Sequence, residues 1–576
     1  MRKSPVFSVT VLWLFSLVSL YFSPRLLSFI FIAPNWYSLL GILLFVLFFN
    51  LFFFYEVYNI LAIIFSRFSK NNIPPPLHIN PFSINEKNSY LPPIALLYLT
   101  RNDFNQEACL SCLNQDYPDY KVFILDDSSP GAGHKKIDAF ISDVIPSRMP
   151  DFNRNKIQVI RRENKTGFKA GNMNNALRLI HDDFKYFAVS DSDGILPVNF
   201  LSSLLPYFQA DESIGFVQAC CSASEKNTSV FASDMALQIS IHWKYFMPYR
   251  NSSGFVMFYG HSALIKMEVW EKINGLPEVV SEDLAFSARI REIGYQGILA
   301  ANVWTGEDIP QDYPAFRKRH EKWVRGTAEF FRKNFLNFIC SENIPWFEKA
   351  DLLASGFSML MSAPFIFFIL LIAFFLPFFF QAFNLTGAMF NLPVASAGKH
   401  VTDYLSGLRY NMHWTTDFYV LIALGLLYPV IPAFMELRKQ PMKCLNYLFV
   451  STGIYTSLTL SSTLSIISYL ITGMTFFPIT GDKTDKTAIQ NNGFLDFKSN
   501  SLKVQIIEFT LGIALFYVSF SSHNLWFIPI AIGSFLALLL LNARKYDKIK
   551  YLLYLPFLIQ LILLILIGKN MICIFR

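Results

Sequence analysis

Long apolar segments near the N-terminus and after residue 350 constrain this chain more than any other feature. Residues 7–33 and 37–66 are each long enough, as helices rising about 1.5 Å per residue, to cross about 30 Å of hydrocarbon. In addition, 53% of the 576 residues are hydrophobic, which is too apolar for an ordinary soluble enzyme. We therefore predict an integral membrane protein. Its later apolar segments are 351–383, 416–436, 443–475, 505–523, 525–542 and 551–573.

Basic residues predict the orientation of the first two segments. Arg2 and Lys3 precede the first segment, and Arg67 and Lys70 follow the second. Because cytoplasmic loops are enriched in Lys and Arg, we expect both ends of this hairpin in the cytoplasm. The first segment resembles a signal peptide, but no small-x-small cleavage site ends it, so we interpret it as a membrane span. The prediction is a multi-pass protein of the plasma (inner) membrane with a cytoplasmic catalytic domain.

The apolar segment 443–475 contains many Ser and Thr, and as a single span it would place the following loop outside. We therefore expect helices that lie in or along the membrane interface there. The predicted organisation of the chain is 1–70, N-terminal transmembrane hairpin; 71–93, linker; 94–335, soluble α/β domain; 336–350, interfacial amphipathic segment; 351–475, transmembrane and interfacial helices; 476–504, cytoplasmic loop; and 505–576, C-terminal transmembrane helices.

The soluble domain combines short apolar strands with helical patterns, which is typical of an α/β fold. The strands are IALLYL, KVFILDD, KIQVIRR and YFAVSDSDG, and two of them end in acids. Asp126 and Asp127 end one, and Asp191 and Asp193 end another. In an open parallel sheet the ligand crevice lies at the carboxyl ends of the strands, so we expect these acids to point into a site.

The second acidic turn has the pattern D-x-D. Two carboxylates on one side of a turn supply the hard oxygen ligands that Mg²⁺ or Mn²⁺ needs. Asp126 and Asp127 have an alternative role as the N-cap of the following helix. Two acidic turns on neighbouring strands favour a metal-dependent site.

The loop RENKTGFKAGNMNNAL lies between the two acidic turns. Gly167 and Gly171 allow close backbone approach, and Lys165 and Lys169 supply cations. A helix expected after Asn172 offers its positive N-terminus, and the combination suits phosphate. A helix cap with solvated lysines is the alternative.

The segment SEDLAFSARIRE begins with an acid pair before an amphipathic helix. Ser281 is a candidate cap for this helix, and Glu282 and Asp283 fit the acidic first turn. Asp283 is nevertheless our candidate general base, because the acidic turns and the phosphate-type loop define a site that still lacks one.

The motifs LNQDYPDYKVFILDDSS, GFKAGNMNNAL, SDSDG, SED and RHEKWVRG occur in this order between the predicted spans. As a set they resemble the processive, membrane-embedded family 2 glycosyltransferases of the cellulose, hyaluronan and chitin synthase type. The resemblance implies an α/β GT-A fold with a Rossmann-like mixed sheet, a UDP-sugar donor and one divalent cation, Mg²⁺ or Mn²⁺. It also implies that the acceptor is the growing polysaccharide.

The resemblance further implies roles for individual residues. Asp126 and Asp127 correspond to acids on the uridine side of the donor, and Lys169 to a lysine near its phosphates. Asp191 and Asp193 correspond to the D-x-D motif, whose second acid contacts the metal.

In the same way, Asp283 corresponds to the catalytic base, and Glu282 beside it to an acceptor-binding acid. Ser281 replaces the threonine of the family's T-E-D motif and keeps the hydroxyl.

The segment FRKRHEKWVRG occupies the place of the family's Q-x-x-R-W motif. The resemblance implies that Trp323 stacks beneath the acceptor sugar and that Arg319 and Lys322 meet the donor diphosphate. Lysine keeps the charge of the expected arginine but loses its bidentate fork, so we expect Arg319 or Arg325 to share this contact. A basic amphipathic helix that rests on anionic lipid is a compatible alternative.

Two further segments refine the prediction. FFPITGDKTDK resembles the F-x-V-T-x-K gating loop of cellulose synthases, with Phe477, Thr480 and Lys483 as counterparts and one residue inserted. FYGHSALIK resembles the G-H-N-A-I-I-R segment of osmoregulated and cyclic β-glucan synthases, which favours UDP-glucose as donor.

These observations predict a processive, inverting transferase that polymerises a UDP-sugar, giving a β-glucan, and translocates the product across the lipid bilayer. One alternative is a non-processive transferase that acts on a polyprenyl phosphate or lipid. Another is a catalytically inactive polysaccharide channel or scaffold. The net charge of +7 suits an anionic membrane leaflet as well as an anionic substrate, and nothing indicates nucleic-acid binding.

Overall fold

The computed structural model describes residues 3–27, 30, 36–69, 91–224, 229–371, 428–474, 497–521, 527–542 and 546–562. The N-terminal helices α1 (Val6–Leu27) and α2 (Trp36–Ser69) pack together as a hairpin. The backbone N–H of Ser4 donates to the carbonyl of Ser252 at 2.8 Å, and the hydroxyl of Ser69 lies 3.2 Å from that of Ser252. Both ends of the hairpin therefore meet the same surface of the soluble domain.

Seven strands form one sheet at the centre of the soluble domain. They are β1 (Ile94–Thr100), β2 (Tyr120–Asp126), β3 (Ile157–Ile160), β4 (Tyr186–Asp191), β5 (Ile214–Ala223), β6 (Ala263–Lys266) and β7 (Gln296–Glu307). The order is β3-β2-β1-β4-β6-β5-β7, and β6 runs antiparallel to both neighbours while the other pairs are parallel. Apolar clusters cover both faces, which explains why the strands are almost continuously hydrophobic.

The register of the parallel strands brings the acidic strand ends together. Thr100 of β1 pairs with Asp126 of β2, and Leu99 of β1 pairs with Asp191 of β4. Both acids therefore lie at the same edge of the sheet, one on either side of β1. This confirms the prediction that the two acidic turns lie together at the carboxyl ends of parallel strands.

Helices connect and cover the strands and continue into the apolar region. In addition to α1 and α2 they are α3 (Gln106–Leu113), α4 (Ala132–Ala139), α5 (Ile145–Arg148), α6 (Phe168–Ile180), α7 (Phe200–Leu204), α8 (Pro206–Ala210), α9 (Val230–Ile241), α10 (Arg250–Ser253), α11 (Met267–Lys272), α12 (Glu282–Glu292), α13 (Tyr313–Cys340), α14 (Trp346–Leu360), α15 (Ser362–Leu370), α16 (Pro441–Thr472), α17 (Leu502–Ser521), α18 (Ile528–Asn542) and α19 (Tyr546–Ile549).

Four of the described helices, α1, α2, α16 and α17, are long and apolar enough to cross a membrane. Helices α14 and α15 meet the same criterion as a pair and bend by 58° at their junction. The shorter apolar helix α18 packs against α16 and α17. In length and composition these helices fit the predicted membrane protein.

The Ser- and Thr-rich stretch forms one continuous helix, α16, where the sequence predicted helices along the interface. Its hydroxyls donate to carbonyls three or four residues earlier: Ser461 to Leu458 at 3.0 Å, Thr463 to Thr459 at 2.9 Å and Ser465 to Ser461 at 2.8 Å. Because these hydroxyls find partners within their own helix, they do not require water. Their presence therefore does not exclude a span.

A buried ion pair ties α13 to the apolar helices. Arg317 of α13 and Glu508 of α17 lie 2.8 Å apart, and neither side chain is exposed. Arg317 also donates to the carbonyl of Ser499 at 2.6 Å. Removing one member of such a pair leaves the other charge buried without compensation. Both residues should therefore be needed for the packing of α13 against α17.

Replacing Glu508 with alanine should lower the free energy of unfolding by about 3 kcal/mol, because Arg317 would stay buried without its partner. The double variant Arg317→Met, Glu508→Leu removes both charges and should recover most of that loss. Thermal unfolding of the purified protein in detergent measures both effects. Glu107→Ala is the control, because its ion pair with Arg148 is exposed and contributes about 1 kcal/mol or less. Equal stability of the two single variants would contradict the prediction.

Candidate active site

Two arginines neutralise the acidic pair at the end of β2. Arg161 Nε donates to Asp126 Oδ2 at 2.8 Å, and Arg162 Nε and Nη2 donate to the two oxygens of Asp127 at 2.9 and 2.7 Å. Both carboxylates are buried. Burial raises the pKa of Asp126, but hydrogen bonds from Arg161 and Ser128 outweigh it and hold the pKa below its ordinary value. Both acids are therefore already compensated by the protein.

Arg161 and Arg162 were not among the predicted site residues. They follow β3, which lies beside β2 in the sheet. The basic pair that ends the strand sequence KIQVIRR could therefore have indicated cations next to the acidic pair. The N-cap alternative for the acidic pair does not hold, because α4 begins at Ala132 with Gly131 at its cap position.

Lys169 lies in the first turn of α6, within reach of the D-x-D turn. The helix begins at Phe168 rather than after Asn172, because Gly167 adopts the left-handed conformation (φ 74°) that allows the chain to turn into the helix early. Lys169 Nζ lies 2.5 Å from Asp191 Oδ1. The helix N-terminus, the lysine and the D-x-D turn thus meet.

The loop before α6 is fixed by contacts to the backbone. Lys165 Nζ donates to the carbonyl of Asp127 at 2.8 Å, and Arg162 Nη1 donates to the carbonyl of Thr166 at 2.5 Å. A Cβ atom at Gly171 would lie 2.2 Å from that Thr166 oxygen. Gly171 therefore permits the close approach of the loop to the helix.

Several carboxylates crowd around the D-x-D turn. Burial, together with the negative charges of Asp191, Glu307 and Asp308, raises the pKa of Asp193 to about 8. Asp193 forms no ion pair with any residue that the structure describes. Carboxylate oxygens without an ion pair are the donors that Mg²⁺ or Mn²⁺ requires, so Asp193 fits the cation that the resemblance implies.

Cys221, His261 and Glu307 form a further group of potential ligands near this turn. Their donor atoms all lie within 4.8 Å of one another. His261 Nε2 is 3.7 Å from Glu307 Oε2, and Arg319 Nη1 is 3.6 Å from Glu307 Oε1. Glu307 was not among the predicted site residues, because β7 was not predicted as a strand. Glu307 and Asp308 nevertheless repeat the pattern of an acidic pair at a strand end.

Glu282, which is buried, and Asp283, which is half-buried, form an acid pair at the start of α12. Asp283 Oδ1 accepts a hydrogen bond from the N–H of Leu284 at 2.8 Å. Ser281 stands at the cap position but makes no capping hydrogen bond, so its predicted capping role is wrong. Burial and the charge of Asp283 raise the pKa of Glu282 to about 7, and burial also raises the pKa of Asp283. The pair therefore has carboxylates with increased basicity.

Two lysines face the acid pair. Lys169 of α6 and Lys322 of α13 both interact electrostatically with Asp191 and with the acid pair. Gly260, with a φ of 82°, approaches them closely: a Cβ there would lie 3.5 Å from both Glu282 Oε1 and Lys169 Nζ. The structure thus brings the D-x-D turn, both lysines and the acid pair into one site.

The side chains of the segment FRKRHEKWVRG lie on two different faces of helix α13. Trp323 is 41% exposed, and the guanidinium of Arg319 lies 4.8 Å from its ring centre. Arg325 lies about 200° around the helix from Trp323, is buried, and donates to the carbonyl of Phe497 at 2.9 Å. The expectation that Arg325 shares a diphosphate contact is therefore wrong, while Arg319 and Lys322 remain on the site's side.

The predicted gating residues Phe477, Thr480 and Lys483 lie outside the described residues. Met474 precedes this undescribed segment and Phe497 follows it. Arg325 donates to the carbonyls of both, to Met474 at 3.3 Å and to Phe497. The gating role stays a prediction.

Gly171→Ala should lower the free energy of unfolding by about 2 kcal/mol, because the new Cβ overlaps the Thr166 carbonyl. Gly326→Ala, also inside a helix, is the matched control: its Cβ would meet neighbouring atoms no closer than 3.4 Å, and alanine favours a helix by about 0.5–1 kcal/mol. Thermal unfolding of the two variants should move in opposite directions. A Gly171→Ala protein as stable as the wild type would refute the close approach.

Three comparisons found proteins that are similar to this chain. Residues 186–392 match the family described as Glycosyl transferase family group 2. A probable glucomannan 4-beta-mannosyltransferase 15 of Arabidopsis thaliana is 24% identical over 203 residues, which cover 34% of this chain and 37% of the relative. The S. aureus TarS fragment 1–349, solved in complex with UDP, has a TM-score of 0.30 and 12% identity, covering 68% of this chain and 94% of that fragment.

The family match includes β4 with its D-x-D turn, the acid pair of α12 and all of α13. The match to the plant relative spans little more than a third of that protein's length. Residues 186–392 are therefore similar to family 2 glycosyltransferases, and the chain has a GT-A-like fold with a mixed sheet, together with apolar helices that are long enough to span a membrane.

Proposed function

We propose that this protein is a processive, inverting glycosyltransferase that polymerises a hexose from a nucleoside diphosphate sugar and passes the product across the membrane. The observation that carries the proposal is the arrangement of Lys169, Lys322 and the acid pair around the D-x-D turn. It combines cations for a diphosphate, carboxylates for a metal and a candidate base in one site. An inactive channel would have no need of this arrangement.

In the proposed reaction an acceptor hydroxyl oxygen attacks the anomeric carbon of the donor sugar. The bond between that carbon and the diphosphate oxygen breaks, and the nucleoside diphosphate leaves with the electron pair. Asp283 takes the hydroxyl proton on Oδ2, since Oδ1 already accepts from Leu284. The raised pKa of Asp283 makes it a stronger base than an ordinary aspartate, which supports this role.

The cationic side chains would stabilise the leaving group. Lys169 and Lys322 lie beside the D-x-D turn, and Arg319 approaches from α13. Asp193, with Glu307 nearby, would hold the divalent cation, which when bound supplies positive charge to the departing diphosphate. Asp126 and Asp127 would flank the nucleoside, with Glu282 toward the acceptor.

Two similarities to known proteins suggest two candidate sugar donors. The FYGHSALIK segment favours UDP-glucose and hence a β-glucan. The name of the plant relative specifies mannosyl transfer into glucomannan, which makes GDP-mannose the second donor to test. Both alternatives give a β-linked hexose polymer by the same chemistry.

The membrane arrangement supports polymer export. Helix α13, which carries Trp323, packs directly against α16 and α18. The exposed indole offers a flat apolar surface on which a sugar ring can stack. We propose that the acceptor end rests there, that the domain faces the cytoplasm of the plasma (inner) membrane, and that the segment 476–504 gates the donor.

Purified protein in lipid nanodiscs should release nucleoside diphosphate from UDP-glucose or GDP-mannose in the presence of Mg²⁺ or Mn²⁺ and form a product of high mass. Asp283→Asn should lower turnover by about 10³-fold or more while leaving UDP or GDP affinity within about threefold, because it removes the base and not the donor contacts. Asp547→Asn, on α19 outside the site, is the control.

Digestion with linkage-specific glycanases then identifies the polymer. Binding of the nucleotide without turnover of any hexose donor, by the wild type and by Asp283→Asn alike, would contradict the enzymatic proposal. Transfer of a single sugar to an added polyprenyl phosphate would instead establish the non-processive alternative.

Trp323→Ala should shorten the product and lower turnover about tenfold, because the loss of a stacking contact costs about 1.4 kcal/mol. Trp323→Phe keeps an aromatic face and should retain most of the chain length. Size-exclusion analysis of the product measures this. Trp346→Ala is the matched control, since Trp346 is 50% exposed on α14 and outside the site. Equal product length in the Trp323→Ala and Trp346→Ala proteins would show that Trp323 does not bind the acceptor.

A further inference from the structure

A cavity of about 430 Å³ lies between the soluble domain and the apolar helices, apart from the active site. It is an open cavity lined by the end of α2, the turn 242–246 after α9 and the segment 434–438 before α16. Its volume falls in the range of small-ligand sites, about 300–1,000 Å³. The lining residues are Arg67, Lys244, Tyr245, Phe434, Met435 and Arg438.

The lining is strongly cationic. Lys244 pairs with Glu436, whose Oε1 also accepts a hydrogen bond from the Tyr245 hydroxyl at 2.9 Å. Arg67 and Arg438 form no ion pair with any residue in the described part of the chain. Three cations against one carboxylate leave two positive charges uncompensated, so the cavity attracts an anion.

The cavity lies at the ends of two candidate membrane spans. Arg67 is in the last turn of α2, and Arg438 lies just before α16. Large apolar side chains near these cations are exposed: Phe68 by 75%, Phe434 by 60% and Met442 by 76%. Cations beside exposed apolar side chains match a ligand that has both a phosphate and hydrocarbon chains.

We propose that Arg67, Lys244 and Arg438 bind the phosphate of an anionic phospholipid, with its acyl chains against Phe434 and the neighbouring apolar surface. Basic pockets between membrane helices are suited to such head groups. The site is separate from the proposed donor and acceptor positions. A lipid bound there would contact Lys244 of the soluble domain and also Arg67 and Arg438 at the ends of two membrane helices.

Native mass spectrometry of the full-length protein in detergent, titrated with phosphatidylglycerol or phosphatidylcholine, tests this site. The wild type should bind phosphatidylglycerol in preference to phosphatidylcholine. Each cation at an anionic lipid contributes about fivefold in affinity, so Arg67→Gln, Arg438→Gln should weaken phosphatidylglycerol binding about 25-fold. Arg67→Lys, Arg438→Lys keeps the charge and should bind as the wild type does. Lys439→Gln, an exposed neighbour that does not line the cavity, is the matched control.

Equal binding of the two lipids would overturn the proposal, and so would undiminished phosphatidylglycerol binding by the double glutamine variant. Inorganic phosphate is the probe for a free anion: it should not displace phosphatidylglycerol at equal concentration. Complete displacement would mean that the cavity takes free phosphate and not lipid. Because Arg67 and Arg438 are exposed, neither substitution should affect folding, and thermal unfolding checks this.

Discussion

Compensation of buried carboxylates is the constraint on which the rest of this structure depends. An ionised carboxylate out of water costs several kcal/mol unless cations or hydrogen-bond donors face it. Arg162 faces Asp127, Arg161 faces Asp126, and Arg317 faces Glu508. Each pair joins residues that are distant in sequence or belong to different elements. The ion pairs therefore fix which loops meet at the sheet edge and how the soluble domain joins the apolar helices.

Helix α13 is the element that connects the active site to the membrane region. One face presents Trp323 and Lys322 toward the site, and another buries Arg317 and Arg325 against the apolar region. Because an α-helix is rigid over this length, a shift of the membrane helices would move the stacking surface with it. On the proposed function, this coupling is what polymer extension followed by export requires.

The sequence patterns predicted the α/β domain and the shared edge of the two acidic turns, because apolar strands and terminal acids are local signals. They did not predict the partners of Asp126 and Asp127, since Arg161 and Arg162 reach them only through the pairing of β3 with β2.

Other failures had local causes. Gly167 starts α6 early through a left-handed backbone conformation that composition does not reveal. Helix α16 satisfies its hydroxyls internally, and counting Ser and Thr overestimates its polarity. The helical phase alone does not exclude Arg325, which at about 100° per residue lies about 200° from Trp323 but only about 60° from Lys322. Its burial and its hydrogen bond to the carbonyl of Phe497 exclude it, and these depend on the packing of distant segments.

The contrast between compensated and uncompensated carboxylates separates the two ends of the proposed donor site. At the end of β2 each acid already has an arginine, so a ligand there meets a nearly neutral surface, which suits a nucleoside. At the D-x-D turn Asp193 has like charges as neighbours, which would repel a bare diphosphate. A donor that carries its own divalent cation removes that repulsion. The charge distribution thus favours a metal-bound nucleoside diphosphate sugar over a sugar phosphate that lacks the nucleoside.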